Sequence, residues 1–228
     1  GEIAHNRIWG DPSFNNGGCP CSAVVASGGV RIHHNEIYAA DTNGNAEVIE
    51  IADYYEPFQI DSNHLVGTLW IDDSVSHSGG QNLIANNVLL GGINGASSNT
   101  GPILIANNTI IGNIYLQGDT RARLVNNIIT SSLSASSQHL LEVSHNNFGG
   151  PSYPAYVGIN GNISKPPTFV NPISSDYHLT ACDPGIDQGA LLPELENDFD
   201  GDPRSLDGNG DGQAVPDIGA DERVYDAR

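Results

Sequence analysis

The sequence predicts an all-β chain wound into a right-handed parallel β-helix solenoid of about seven to eight rungs, with a C-terminal cap and an acidic, loop-rich tail. Three observations predict it. One short unit, clearest in the ten residues from Ile103 to Gly112, recurs seven times when aligned on Asn6, Asn35, Asn63, Asn87, Asn108, Asn127 and Asn146. The flanking columns each hold one chemistry. Three residues before the asparagine stand Ile3, Ile32, Ile60, Ile84, Ile105, Leu124 and Val143, and two after it Ile8, Ile37, Leu65, Leu89, Ile110, Ile129 and Phe148. The asparagines are 29, 28, 24, 21, 19 and 19 residues apart, a spacing typical of stacked repeats.

Each half of the unit alternates apolar and other residues over a few positions, which is the period of a strand. The halves are too short and too rich in Ile and Val for helices, and Gly, Asn and Ser punctuate them. Stacked units form parallel sheets with strands about 4.8 Å apart, and parallel crossovers are right-handed. The two apolar columns point inward. The asparagines are expected at the sharp bend between strands, in the left-handed conformation Asn tolerates, with their amides bonded up the stack. Gly10, Ala39, Gly67, Gly91, Gly112, Ser131 and Gly150 form a small-residue column, expected at a second bend or tight inner corner.

Taken in order, residues 1–150 form the rungs. The long excursions Asp11 to Ser27, Asp41 to Asn45 and Asp53 to Pro57 fall between the early rungs, and from Ser78 onward the rungs are short and regular. Binding surfaces in solenoids are built from such insertions, so a site is expected on the early rungs. Residues 151–190 read as an irregular cap rung, broken by Pro151, Pro154, Pro166 and Pro167 and closed by a strand pair from Phe169. Residues 191–228 read as an acidic tail packed on the helix. Residues 183–228 carry 13 of the chain's 27 acidic residues.

The 228 residues include only 8 Lys and Arg, for a formal net charge of -19. That balance excludes nucleic acid and anionic membrane surfaces as partners. No apolar run is long enough for membrane insertion. The composition fits an extracellular or cell-surface bacterial protein. The first repeat begins at Ile3, so a fragment of a longer protein is expected, with an open first rung able to self-associate end to end. A Cys19–Cys21 bridge would be strained, and no disulfide is assigned to Cys19, Cys21 or Cys182.

The tail carries Asn171-Pro172, Asp176-Tyr177-His178-Leu179, Pro184-Gly185-Ile186-Asp187-Gln188-Gly189, Asp200-Gly201-Asp202-Pro203-Arg204 and Asp217-Ile218-Gly219-Ala220-Asp221-Glu222. This ordered set resembles the C-terminal part of bacterial parallel β-helix proteins of the choice-of-anchor Q type. Cys182-Asp183-Pro184 replaces the family's Ser-Pro. The resemblance covers about residues 80–222 and implies the fold and a secreted or surface-displayed protein. It implies no single reaction.

Four groups of residues are candidate sites. Asp198, Asp200, Asp202, Asp207, Asn209, Asp211 and Asp217 are candidate calcium ligands. Asp207, Asn209 and Asp211 alternate ahead of Gly212, as in the opening of an EF-hand loop, although position twelve is Ile218 rather than an acid. Calcium would be structural here, and the competing reading is solvated turn chemistry with Arg204 pairing one carboxylate. Asp72, Asp73 and His77 are candidate catalytic residues, since paired carboxylates beside a histidine suit glycoside hydrolysis. Trp9, Tyr38, Tyr54, Tyr55 and Trp70 are candidate ligand-binding aromatics able to stack sugar rings. His5, His34 and His145 directly precede ladder asparagines and read as a polar column in which His5 and His34 stack. A zinc site from Cys19, Cys21, His33 and His34 has poor spacing. A lyase reading is disfavoured, because Lys165 lies in the cap and Arg7, Arg31, Arg121 and Arg123 are scattered.

The leading expectation is a non-catalytic module presenting a face to polysaccharide or to another protein. The alternatives are a carbohydrate-active enzyme, hydrolase or lyase, with its site on the early rungs or in missing N-terminal sequence, and a structural subunit stacking through its first rung.

Overall fold

The computed structural model describes residues 1–10, 22–27, 29–39, 46–52, 56–72, 80–96, 101–136, 138–149 and 155–225. The described chain is a parallel β-helix with three strands to a rung. Rung 1 comprises β1 (Glu2–Ala4), β2 (Arg7–Trp9) and β3 (Val24–Ala26), and rung 2 comprises β4 (Arg31–His33), β5 (Glu36–Tyr38) and β6 (Glu47–Ala52). Rung 3 holds β7 (Gln59–Asp61), β8 (His64–Val66) and β9 (Thr68–Asp72), and rung 4 holds β10 (Asn82–Ala85), β11 (Val88–Leu90) and β12 (Ile93–Gly95). Rung 5 is β13 (Ile103–Ala106), β14 (Thr109–Ile110) and β15 (Ile114–Leu116), and rung 6 is β16 (Ala122–Val125), β17 (Ile128–Ile129) and β18 (Leu133–Ser134). β19 (Leu140–Ser144) opens a seventh, of which it is the one strand among the described residues. The first sheet therefore has seven strands and the other two have six, slightly fewer than the seven to eight full rungs expected.

The apolar columns stack in register. Ile3 pairs with Ile32, Ile32 with Ile60, and Ile60 with Ile84, and the series continues through Ile105 and Leu124 to Val143. With Ile37, Leu65, Leu89 and Ile110 they form one continuous core. A third inward column, Ile49, Leu69, Ile93 and Ile114, comes from the third sheet.

The bend differs from expectation by one residue. The left-handed position is the residue before each ladder asparagine: His5, His34, Ser62, Asn86, Asn107, Asn126 and His145 all have φ between 51° and 57°. Turning the chain there swings the next side chain inward, so the asparagine holds the bend from inside. Asn108 Nδ2 donates to Ala106 O, Ile84 O and Asn127 Oδ1, each at 2.9 Å, while its Oδ1 accepts from Asn87 N and Nδ2 at 3.0 Å. The ladder also has an eighth member, because Asn162 Oδ1 accepts from Asn146 N at 2.9 Å. The small column is an inner corner. A Cβ on Gly112 would run into the carbonyl oxygen of Gly91, and one on Gly91 into that of Gly67.

The outer faces change character along the axis. On rungs 1–3 the first sheet points Glu2, Arg31, His33, Gln59 and Asp61 outward, and on rungs 4–6 the same columns hold Leu83, Leu104, Ala85, Ala106 and Val125, with Arg123 alone among them polar. Leu195, with Ala190 and Leu192, covers the apolar stretch. Tyr177 and Ala220 pack on Val88, and Leu179, Ile186 and Ile218 pack on Ile128. Residues 177–220 thus lie along the flank of rungs 4–6. The antiparallel pair β20 (Phe169–Asn171) and β21 (Asp176–Leu179) leads into them.

Candidate functional site

The tail covers the first and second sheets of rungs 4–6, and among the described residues the outer face of rungs 1–3 carries no such layer. On the second sheet Trp9 and Tyr38 are register partners one past the inward column, so both point out. Their rings lie within 11° of parallel, with centroids 5.8 Å apart. Parallel rings in contact are separated by about 3.5 Å, so this pair is slipped by roughly 4–5 Å. Trp9 is 62% exposed. The Arg7 guanidinium lies 5.5 Å from the Trp9 ring centre and pairs with Glu36 Oε2 at 2.6 Å. An aromatic platform with a cation and a carboxylate beside it suits a sugar, which offers an apolar face and a rim of hydroxyls.

Trp70 sits on the third sheet between Glu50 and Asn94, away from Trp9 and Tyr38. Tyr54, Tyr55, Asp73, His77, Cys19 and Cys21 lie outside the described residues. Asp72 ends β9 on an exposed position. Beside Trp70 the structure brings together two acids that sequence reasoning missed. β6 carries an extra residue between Glu47 and Ile49, a bulge that turns Glu47 to the same outer face as Glu50. The Ser22 hydroxyl contacts both, at 2.7 Å to Glu47 Oε2 and 3.1 Å to Glu50 Oε2. Burial raises the Glu47 pKa, and the charges of Glu50 and Asp72 add to the shift against the Ser22 hydrogen bond.

Backbone amides engage most of the tail acids. Asp198 is buried, accepting from the Asp200 and Asp202 amides on Oδ1 and from the Glu222 amide on Oδ2. Asp217 accepts from Asp187 N at 2.7 Å and Arg223 N at 2.8 Å, and burial pushes its pKa up to about 8. Asp207 accepts from the amides of Gly210, Asp211 and Gly212, Asn209 Oδ1 from that of Asp211, and Asp211 from that of Gln213. Asp207, Asn209 and Asp211 therefore share one loop, and Asp187 ties it to Asp217, accepting from the Gly208 and Asn209 amides and donating its own amide to Asp217. Asp200 instead meets His178 Nε2 at 2.8 Å, while Asp176 holds Nδ1 at 2.6 Å. Burial opposes charge on His178, but these bonds and the field of Asp221 outweigh it and raise its pKa to about 9.

No protein-family model matches the chain, and no curated protein matches it. What the site can do rests on its own residues.

The left-handed column acquires a role that its position alone did not reveal. Asn86 donates to Asn197 O and accepts from Arg204, and Asn126 both donates to and accepts from the Ala190 backbone. On rungs 4–6 this column holds the tail, and on rungs 1 and 2 it carries His5 and His34, whose rings stack at 5.1 Å as expected. A cleft of about 460 Å³ opens where the tail leaves the rungs, with Arg31, His34 and Asp61 on one wall and Glu194, Asn197 and Asp198 on the other.

Proposed function

We propose that this chain is a secreted or surface-displayed bacterial β-helix module that binds glycan on the outer face of its early rungs without cleaving it. The observation that carries the reading is the slipped Trp9–Tyr38 pair, with Trp9 exposed and Tyr38 half-buried, set on two adjacent parallel strands and flanked by Arg7 and Glu36. Rigid strands fix the rings before a ligand arrives, which lowers the entropic cost of binding. The tail motifs' resemblance to choice-of-anchor Q proteins and the net charge of -19 support an extracellular setting. Affinity electrophoresis against a panel of neutral and acidic polysaccharides tests the proposal. Trp9→Ala should weaken the best ligand at least tenfold, about 1.4 kcal/mol, with no change in melting temperature. Equal binding by wild type and variant would sink it.

One observation favours a second reading. Glu47 and Glu50 meet at one serine hydroxyl beside Trp70, and a close pair of carboxyls can act as acid and nucleophile on a glycosidic bond. Glu47, its pKa raised, suits the acid and Glu50 the nucleophile. The same panel decides: reducing ends released by wild type and lost in Glu47→Gln would replace binding by hydrolysis.

Calcium in the loop of Asp207, Asn209 and Asp211 belongs to the proposal as a structural ion that neutralises the tail. On this reading a chelator lowers the melting temperature by about 2–4 °C, the equivalent of roughly 1 kcal/mol. An unchanged midpoint would remove calcium from the account.

A further inference from the structure

We propose that His5, His33 and His34 form a binding site for a divalent transition-metal ion of the zinc class. The three imidazoles come from two rungs. Ile3 pairs with Ile32 and Ala4 with His33, so the stacking register fixes how His5 and His34 meet. Both adopt the left-handed bend, at φ 56° and 52°, which sets their side chains without any loop. One nitrogen from each of the three rings lies within 4.8 Å of the others. Zinc–imidazole bonds of about 2.0–2.1 Å in tetrahedral geometry put the nitrogens roughly 3.3 Å apart, so small side-chain rotations close the site.

Two contacts inside the cluster point to a ligand set. His33 Nδ1 and His34 Nδ1 face each other at 2.8 Å. Two lone pairs cannot face each other at that distance. The pair either shares one proton or shares a metal, and a metal satisfies both nitrogens and the third ring as well. The other nitrogen of His33, Nε2, lies 2.7 Å from Glu2 Oε1. A carboxylate there holds the proton on Nε2 and leaves Nδ1 free to ligate, the usual support for a metal-binding histidine.

The surroundings tolerate a cation. Arg31, which shares the outer face of β4 with His33, is spent on Asp61 through two hydrogen bonds of 2.9 and 2.7 Å. Glu2 adds a negative charge, and the whole chain is strongly acidic. His33 is buried, whereas His5 and His34 are exposed. Three protein ligands and an open side leave the fourth position to water or to an exogenous group.

The test uses metal-free full chain, titrated with zinc in competition with a chromophoric chelator and with Co²⁺ followed by visible absorption. One equivalent should bind saturably, with the cobalt band of nitrogen and oxygen ligation and no thiolate charge-transfer band. His5→Asn and His34→Asn should each weaken zinc at least tenfold, and Glu2→Gln about tenfold. The chain itself uses Asn at the same bend on rungs 4–6, so these variants should melt like wild type in chelator. Absence of saturable binding, unchanged affinity in the His5→Asn/His34→Asn double variant, or a thiolate spectrum would each overturn the proposal.

Discussion

Asn108→Ala should lower the stability of the chain by about 3–5 kcal/mol. Asn108 is fully buried, and its amide serves three rungs at once. Alanine removes the acceptor of the Asn87 backbone amide and of the Asn87 side chain. It also removes the donor to Ile84 O and Ala106 O and breaks the bond to Asn127. Each buried polar group left without a partner costs roughly 1–3 kcal/mol, and neighbouring rungs relax only part of it. Position should matter as much as chemistry. A solenoid holds together through nearest-neighbour interfaces, so a break at the fifth of seven rungs uncouples the two sides. Asn6→Ala, at an exposed end of the ladder, should cost under about 1 kcal/mol. Denaturant melts of the two variants check this, and a broadened transition in Asn108→Ala marks the uncoupling. Equal losses at the two positions would mean that the ladder does not carry the stability assigned to it.

The ladder was legible because its spacing is rigid. Asn, the residue three before it and the residue two after it never change separation, so seven aligned copies expose two of the three inward columns. The third was hidden by insertions. Leu69, Ile93, Ile114 and Leu133 stand six residues after their asparagines, but Ile49 stands 14 after and Val24 stands 18 after. Asn162 was hidden because Ser164 and Pro166 occupy the positions where an apolar and a small residue are expected. Glu47 and Glu50, three apart on one strand, belong to opposite faces until a bulge is known, and no sequence feature announces it. The covered flank did leave a signal. Leu83, Leu104, Val88 and Ile128 are apolar at outward positions from rung 4 onward, broken by Thr109 and Arg123, whereas Gln59, Arg31 and His64 are polar in the same columns earlier. That switch from polar to apolar at constant register marks where a second layer lies.

Arg204→Ala should loosen that second layer at a cost of about 3–5 kcal/mol. The Arg204 side chain is 3% exposed and its partner Glu222 is wholly buried. The guanidinium donates to Glu222 Oε1, to Asn86 Oδ1 on rung 4 and to the carbonyls of Gly219 and Ala220. Glu222 in turn accepts from the amides of Asp217, Ser205 and Leu206. Two tail segments, 204–206 and 217–222, and one rung therefore meet on one ion pair. Removing the arginine leaves a carboxylate in a site that water does not reach, and burial already raises its pKa. Lysine should not restore the contacts, since a single ammonium cannot span four acceptors set around a planar fork. Arg204→Met/Glu222→Leu should recover part of the loss, because a buried pair replaced by apolar groups no longer strands a charge. The expected signature is local: hydrogen exchange and proteolysis rise over residues 190–222 and on the outer face of β10 and β13, while the Asn108 ladder keeps its protection. If Arg204→Ala melts the rungs and the tail together, the flank layer is part of one cooperative unit with the helix, and the tail motifs define the fold rather than decorate it.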